Sequence, residues 1–369
     1  MTYSNRKVLV TGGAGFIASH VADAYLAAGD EVWVLDDLSS GKRNQVPDGA
    51  TFVEMDVRDP EIRGLFKQVR FDLVNHHAAQ VDVRSSVSDP VNDASINLLG
   101  LLNITEAALE VGTQRLLFVS SGGVVYGEPD RLPTPEVAEK RPLSPYGVTK
   151  LCGELYLDYY RHLHGMEYVA LRYSNVFGPR QDPHGEAGVV AIFCARLLEG
   201  QPLTVFGDGE QTRDYVYVKD VVAANMLAST ADMGEGTGLD SRAFNVGTGV
   251  GTSVLQLADG MLGSAAWLAL RMRAELGTGC NVFILADSSV SSWDPDVVAA
   301  QHVDADGLVM YGRASQAQPT DLPVRVVHGR LLPLRPARIL HLLAFRCLFR
   351  CTALCSLALT LGLQRLESE

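Results

Sequence analysis

KVLVTGGAGFIASHVADAYLAAGDEVWVLDD, residues 7–37, decides the fold. A short apolar run, KVLV, exits through glycines, and FIASHVADAYLAAG (16–29) then shows helical apolar spacing with a closing glycine. EVWVLDD (31–37) returns to an apolar run of strand length. Gly13-x-Gly15-x-x-Ala18 therefore lies directly after a strand and before a helix. Glycines at 12, 13 and 15 let the backbone approach a pyrophosphate, and the free N–H groups of Phe16 and Ile17 at the helix start favour an anion. Asp36 ends the second strand about 20 residues on, with Asp37 beside it, where a ribose 2′-hydroxyl needs an acceptor. An acid there repels a 2′-phosphate and selects NAD over NADP. The alternative is a glycine-rich turn with no ligand.

Outward from that unit the alternation continues. TFVEMD (51–56), FDLVNHHAA (71–79), RLLFVSS (115–121) and YVALRYSNVFGP (168–179) read as further strands, with SINLLGLLNITEAALEVG (95–112) as a helix between two of them. Such apolar strands alternating with helices predict an α/β fold: a Rossmann-type, doubly wound parallel sheet with a smaller C-terminal substrate-binding lobe. AGVVAIFCARLLEG (187–200) reads as a helix, with β-like pieces PLTVFG and DYVYV around a loop. The expected organisation is a dinucleotide domain over 1–174, substrate-lobe segments interleaved over 175–262, and an atypical tail over 263–369.

The 369 residues carry a net charge of −12, which argues against nonspecific nucleic-acid binding. Only Cys152 and Cys194 occur before residue 260, the usage of a reducing cytoplasm. A strand begins by residue 7, leaving no room for a signal peptide. Charge is uneven: residues 261–369 hold ten Arg against nine acids, and all six lysines lie at or before Lys219.

SPYGVTKLCGELYLDYY (144–160) carries Tyr146 and Lys150 four apart, on one face of an expected helix. A phenol is a poor base at neutral pH, but a neighbouring ammonium favours the phenolate. That tyrosinate could take a proton from a sugar hydroxyl while hydride leaves the same carbon. Alone, the pair is equally an ordinary amphipathic helix. Twenty-five residues upstream of Tyr146, VSSGGVVYG (119–127) gives up packing at a strand end. Either serine could be the catalytic hydroxyl; Ser121 is the preferred one, Ser120 then pointing into the fold, and Gly122 and Gly123 leave no acid beside them.

These motifs, with LRYSNVFGPRQ and GDGEQTRDYVYVKDV, resemble the extended short-chain dehydrogenase/reductases, and within them the UDP-glucose 4-epimerase type. The resemblance runs from about residue 6 to about residue 259. It implies held NAD, oxidation at sugar C4, rotation of a 4-keto intermediate and hydride return, in a cytoplasmic homodimer acting on a UDP-hexose. It further implies nucleotide contacts at Gly12, Gly15, Asp36, Asp56, Val57, Ala78, Ala79 and Asn97. Asp56 would meet the adenine amino group, though a surface-turn aspartate fits equally. Tyr146 matches the base, Lys150 its ribose-holding helper, and Tyr173 a residue near the nicotinamide. Asn175 and Arg213 match diphosphate contacts and Phe206 the uracil wall. The plainer reading of Arg213 is an exposed side chain paired with Asp214. Related dehydratases and decarboxylases are the alternative, but dehydratases carry acids directly after the strand-end hydroxyl. His76 and His77 are adjacent on a strand and point to opposite faces, so no metal site is expected, and His77 reads as a packing or ribose-side residue.

From about Gly263 the resemblance stops. The family's Arg-Pro-Gly-acid motif is absent, Arg335-Pro336-Ala337-Arg338 being the nearest string. ILHLLAFRCLFRCTALCSLALTLGL (339–363) is apolar but holds His341, Arg346 and Arg350, so a bilayer span is not expected. An amphipathic surface helix, a membrane-associating segment and a frame-shifted tail remain open, the last favoured by the abrupt change of composition. A tail incompatible with substrate binding would leave a catalytically impaired NAD-binding protein.

Overall fold

A computed structural model describes residues 5–183, 188–264, 298–303 and 309–313. Elements run β1 (Lys7–Thr11), α1 (Phe16–Ala27), β2 (Glu31–Asp36), β3 (Thr51–Glu54), α2 (Ile62–Val69) and β4 (Leu73–His76). Next come α3 (Val83–Ser88), α4 (Pro90–Ala94), α5 (Gly100–Val111), β5 (Arg115–Ser121), α6 (Gly122–Val125), α7 (Pro145–His164) and β6 (Glu167–Tyr173). β7 (Asn175–Phe177), α8 (Val189–Leu198), β8 (Thr212–Tyr217), α9 (Val218–Ala228) and β9 (Ala243–Val246) follow.

Seven strands form one parallel sheet in the order β3-β2-β1-β4-β5-β6-β9. β1 pairs with β2 from Lys7↔Glu31 to Thr11↔Leu35, and with β4 up to Thr11↔His76. Strand order reverses at β1, so the crevice outside the strand C-termini opens beside the glycine turn. Two apolar cores cover the faces. Leu9, Phe66, Ile104, Leu116 and Tyr168 anchor one, and Val8, Val21, Tyr25, Val34 and Val169 the other. Both faces being covered explains why these strands read as continuous apolar runs rather than alternating ones.

α7 is set by its start. Ser144 caps it by accepting from Gly147 N at 3.1 Å, Pro145 occupies the first turn, and Gly165 closes it at φ +70°. The helix's buried face, Gly147, Lys150, Gly153, Glu154 and Leu157, turns Lys150 inward.

The chain divides into two compact units: Met1–Ala187 with Asp214–Gly251, and Gly188–Arg213 with Thr252–Glu369. The first holds the seven-stranded sheet and the β7–β8 ladder, paired from Asn175↔Tyr215 to Phe177↔Tyr217. The second is described through α8, the segment to Arg213, helical residues 254–264, and an antiparallel pair, Val298–Val303 with Val309–Arg313. The rest of the tail, including 339–363 and the three cysteines from Cys347, lies outside the described residues.

Three expectations shift. The helix expected over 95–112 starts at Pro90, capped by Asp89, and a π-helical turn interrupts it at Ser95–Leu99. YVALRYSNVFGP divides at Ser174 into strands of two different sheets. PLTVFG forms no ladder; Leu203 is buried there, so its apolar character serves packing rather than strand pairing.

Candidate active site

Gly12 adopts φ +67°, and a Cβ there would meet Ala78 N at 2.8 Å. A Cβ on Gly13 would meet Val34 Cγ1 at 2.6 Å, and one on Gly15 would meet Gly12 O at 3.0 Å. The turn is thus a cradle that side chains would fill. Gly15 starts α1 with no side-chain cap and no acid in the first turn. The N–H groups of Phe16 and Ile17 therefore lack intrahelical acceptors and face the cradle as anion donors.

Asp36 closes the crevice at the end of β2. Its carboxylate accepts from Ala14 N at 3.0 Å and Leu38 N at 2.8 Å. Burial raises its pKa above the ordinary carboxylate value, against these two bonds. Asp37 points the other way, accepting from Ser39 N and Oγ. A dinucleotide fits this donor and acceptor set: backbone N–H groups for the pyrophosphate and one inward carboxylate for the ribose.

The other expected nucleotide residues divide into two sets. Ala78 lies under Gly12, its N–H donating to Thr11 Oγ1 at 3.2 Å, and Ala79 follows half-buried. Asp56 is engaged by Arg58, with Nε–Oδ1 at 2.9 Å, which lowers its pKa. Val57 is buried in the core and its carbonyl accepts from Asn103. Asn97, in the π-helical turn, is buried and committed internally: it accepts from Gln80 N at 2.8 Å and donates to Gln80 O and Asp93 Oδ1, both at 3.0 Å. Its work in this structure is to fix the turn after β4.

The chemical groups gather at the ends of β4 and β5. Lys150 is 3% exposed, donates to Val119 O at 2.9 Å, and lies 5.6 Å from the Tyr146 ring centroid and 5.1 Å from that of Phe118. Burial pulls its ammonium down to about 8, opposed by Asp93 and Glu154. Ser120 is buried with its hydroxyl donating to Glu154 Oε1, whereas Ser121 starts α6 and makes no cap bond. α6 abuts the start of α7: a Cβ on Gly147 would meet Val124 O at 2.8 Å. Ser121 and Tyr146 thus flank one strand end. A Cβ at 123 would meet nothing nearer than Ser121 Oγ at 3.8 Å, whereas one at 122 would meet Arg172 O at 3.3 Å.

His76 is buried, hydrogen-bonded to Thr11 Oγ1 at 2.9 Å and stacked on Phe118. His77 approaches the Tyr173 ring at 6.3 Å. Burial lowers both imidazoles to about 3, so both rings are neutral. Tyr173 accepts from Asn225 Nδ2 at 2.6 Å, which continues through Asn75 to Tyr25. No cluster of three metal-binding side chains occurs among the described residues.

Sequence reading missed Asp93, Glu154 and Arg172. Arg172 and Glu154 form a fully buried pair with Nη2–Oε2 at 2.6 Å, and Arg172 also reaches Tyr126 OH at 2.7 Å. Glu154 follows Tyr146 and Lys150 at i+8 and i+4, a spacing that was readable in the sequence.

Of the expected substrate residues, Asn175 begins β7, half-buried. In the second unit Phe206 is 82% exposed, and the exposed Arg213 donates to Thr212 O at 2.8 Å. Asp214 is occupied by Thr248 and Gly249, so the expected alternative of an Arg213–Asp214 pair does not occur.

A parallel sheet with a glycine cradle, an inward carboxylate at the end of β2 and a Tyr-Lys helix fits a dinucleotide-dependent site. The chain belongs to the NAD dependent epimerase/dehydratase family, whose profile matches residues 8–247. The UDP-glucose 4-epimerase of Mycolicibacterium smegmatis is 44% identical over 70% of this chain and 82% of its own. The Thermotoga maritima UDP-glucose 4-epimerase solved with UDP-glucose is 46% identical, with a TM-score of 0.65, over 69% of this chain and 81% of its own. The Thermus thermophilus UDP-glucose 4-epimerase solved with NAD is 47% identical, with a TM-score of 0.64, over the same shares.

Proposed function

We propose that this chain is an NAD-dependent nucleotide-sugar 4-epimerase that interconverts UDP-glucose and UDP-galactose, or their N-acetyl forms. The observation that carries it is Tyr146 and Lys150 beside a strand end that offers Ser121 and no acid. NAD, when bound, supplies hydride acceptance from and return to sugar C4. Tyr146, as phenolate, takes the 4-hydroxyl proton, with Ser121 bonding that hydroxyl and relaying the proton. Lys150 keeps the phenolate stable and holds the nicotinamide ribose. The 4-keto sugar would then turn over in the site, and Tyr146 would give the proton back to the 4-oxygen. Without an acid at 122 or 123, loss of water from the sugar has no catalyst, which disfavours the dehydratase alternative.

Asn175 and Arg213 take the diphosphate and Phe206 the uracil in this reading. It rests on the resemblance, on the guanidinium's planar fork, and on the exposure of Phe206 and Arg213. The test is Tyr146→Phe: turnover is lost while NAD remains bound, and near-normal epimerisation would remove Tyr146 from the role.

We further infer a cytoplasmic homodimer. Cys152 and Cys194 are free thiols, in keeping with a reducing compartment. α7 carries an exposed apolar stripe of Val148, Leu155, Tyr159 and Leu163, and Val91 and Leu99 add to it from the 90–111 helix. That helix is long and apolar enough to cross a membrane, but Leu101, Ile104, Ala107 and Ala108 pack into the sheet's core. Its outer stripe suits a second copy of the chain. Leu155→Glu should yield monomers by sedimentation; an unchanged dimer would place the interface elsewhere.

A further inference from the structure

Lys150 is buried, and its backbone acceptor, Val119 O, is neutral. Two fully buried carboxylates lie close in the fold, Asp93 bonded to the neighbouring Thr149 and Glu154 one turn along the same helix. Asp93, on α4, accepts from Thr149 Oγ1 at 2.8 Å, Gln80 Nε2 at 2.9 Å and Asn97 Nδ2 at 3.0 Å. All three donors are neutral, so they orient the carboxylate without cancelling its charge. Glu154, one turn beyond Lys150, meets the Arg172 guanidinium at two points, and much of its charge is spent there. The remaining groups around the ammonium are His76 and His77 at the end of β4, Phe118 on β5 and Tyr146 on the same helix. Both histidines are neutral, so the two carboxylates supply the negative charge.

We propose that Asp93 and Glu154 are positioning residues that act through Lys150, holding its ammonium protonated so that Tyr146 can work as a phenolate. A buried ammonium sheds its proton unless a negative charge favours the charged form. Burial is the largest influence on Lys150 and lowers it, with Asp93 first and Glu154 second in opposition. Asp93 is the stronger lever because its charge is unshared. The π-helical turn at Ser95–Leu99 belongs to the same device, since Asn97 within it clamps both Gln80 and Asp93. The proposal deepens the assignment of Tyr146 and Lys150 above and rests on it.

The chain has six lysines, so NAD-bound enzyme carrying 13Cε-lysine gives six resonances, with Lys150 assigned by its loss in Lys150→Met. The Lys150 titration midpoint is expected to fall by about half a pH unit or more in Asp93→Asn, and by less in Glu154→Gln. The alkaline limb of the kcat profile should move down with it. Thr149→Val, which removes a donor and keeps the charge, should leave the midpoint near wild type, and Glu154→Asp should restore it. An unmoved midpoint in folded Asp93→Asn overturns the proposal. If that variant does not fold, an unmoved midpoint in Glu154→Gln does the same. Full epimerisation by Tyr146→Phe would instead defeat the proposed function, while the midpoints still report on the two carboxylates.

Discussion

Arg172 on β6 and Glu154 on α7 form a two-point ion pair with no solvent exposure, Nε–Oε1 at 3.0 Å and Nη2–Oε2 at 2.6 Å. Arg172 also meets Asp240 at 3.1 Å and the Glu136 carbonyl at 3.1 Å, and Glu154 accepts from Ser120. One buried pair therefore ties the catalytic helix, the Ser-rich strand end and the 126–144 connection together. Removing one partner leaves an uncompensated charge, which costs far more than the pair contributes. Arg172→Met should lower unfolding free energy by about 3–5 kcal/mol in urea titrations. A loss under about 1 kcal/mol would mean the pair is not buried as described.

The proposed function gives the two serines opposite duties. Ser121→Ala should reduce kcat by roughly 10²–10⁴-fold with little change in urea midpoint, as removal of a proton-transfer partner does. Ser120→Ala should lower stability by about 1–3 kcal/mol, since Glu154 Oε1 loses one of its two donors and keeps only Arg172 Nε, and leave kcat nearer wild type. The reverse pattern would exchange their roles.

Gly12→Ala combines a left-handed φ of +67° with an approach of 2.8 Å to Ala78 N. The strain is on the order of 1–3 kcal/mol, and it displaces the cradle itself. Purified protein should carry less NAD, measured by mass spectrometry, than wild type. Undiminished NAD would show that the turn accommodates a side chain.

Acid should destabilise the fold through His76. Its folded pKa, about 3, lies below the ordinary 6.5 because burial disfavours the charged ring. Below pH 6.5 the unfolded chain binds a proton that the folded chain does not. The stability contribution is thus complete above pH 6.5 and lost as pH falls toward 3. By about pH 5 the loss is about 2 kcal/mol at most, and His77 acts in the same direction. Urea midpoints at about pH 7.5 and about pH 5 should differ less in His76→Gln than in wild type; equal differences would dismiss His76 as a source.

The legible parts were those where local chemistry and long-range structure coincide. Gly12, Gly13, Gly15 and Asp36 belong to one strand–turn–helix–strand unit, so about thirty consecutive residues are enough to place them. Tyr146 and Lys150 share a helix whose cap, Ser144, adjoins them. Asp93 and Arg172 were invisible because buried charges read as surface charges until tertiary pairing is known; the helical spacing of Glu154 was readable, but its burial shows only through Arg172. The π-helical turn at Asn97 was hidden for a related reason: it is held by Gln80 and Asp93 across the fold, not by propensity. PLTVFG misled because burial of Leu203 and strand pairing leave the same apolar mark. For the 126–144 connection, Tyr126 and Glu136 gained meaning only through their distant partners Arg172 and Asn245.

The central claim is 4-epimerisation at the Tyr146 site. Purified full-length protein with its bound NAD, given UDP-galactose, should form UDP-glucose until the two reach a constant ratio from either side. The hydrogen at C4 should be retained in D₂O, because hydride leaves and returns to the same carbon. No interconversion of UDP-hexoses or their N-acetyl forms by NAD-loaded protein, or accumulation of a 4-keto-6-deoxy product, would contradict the account.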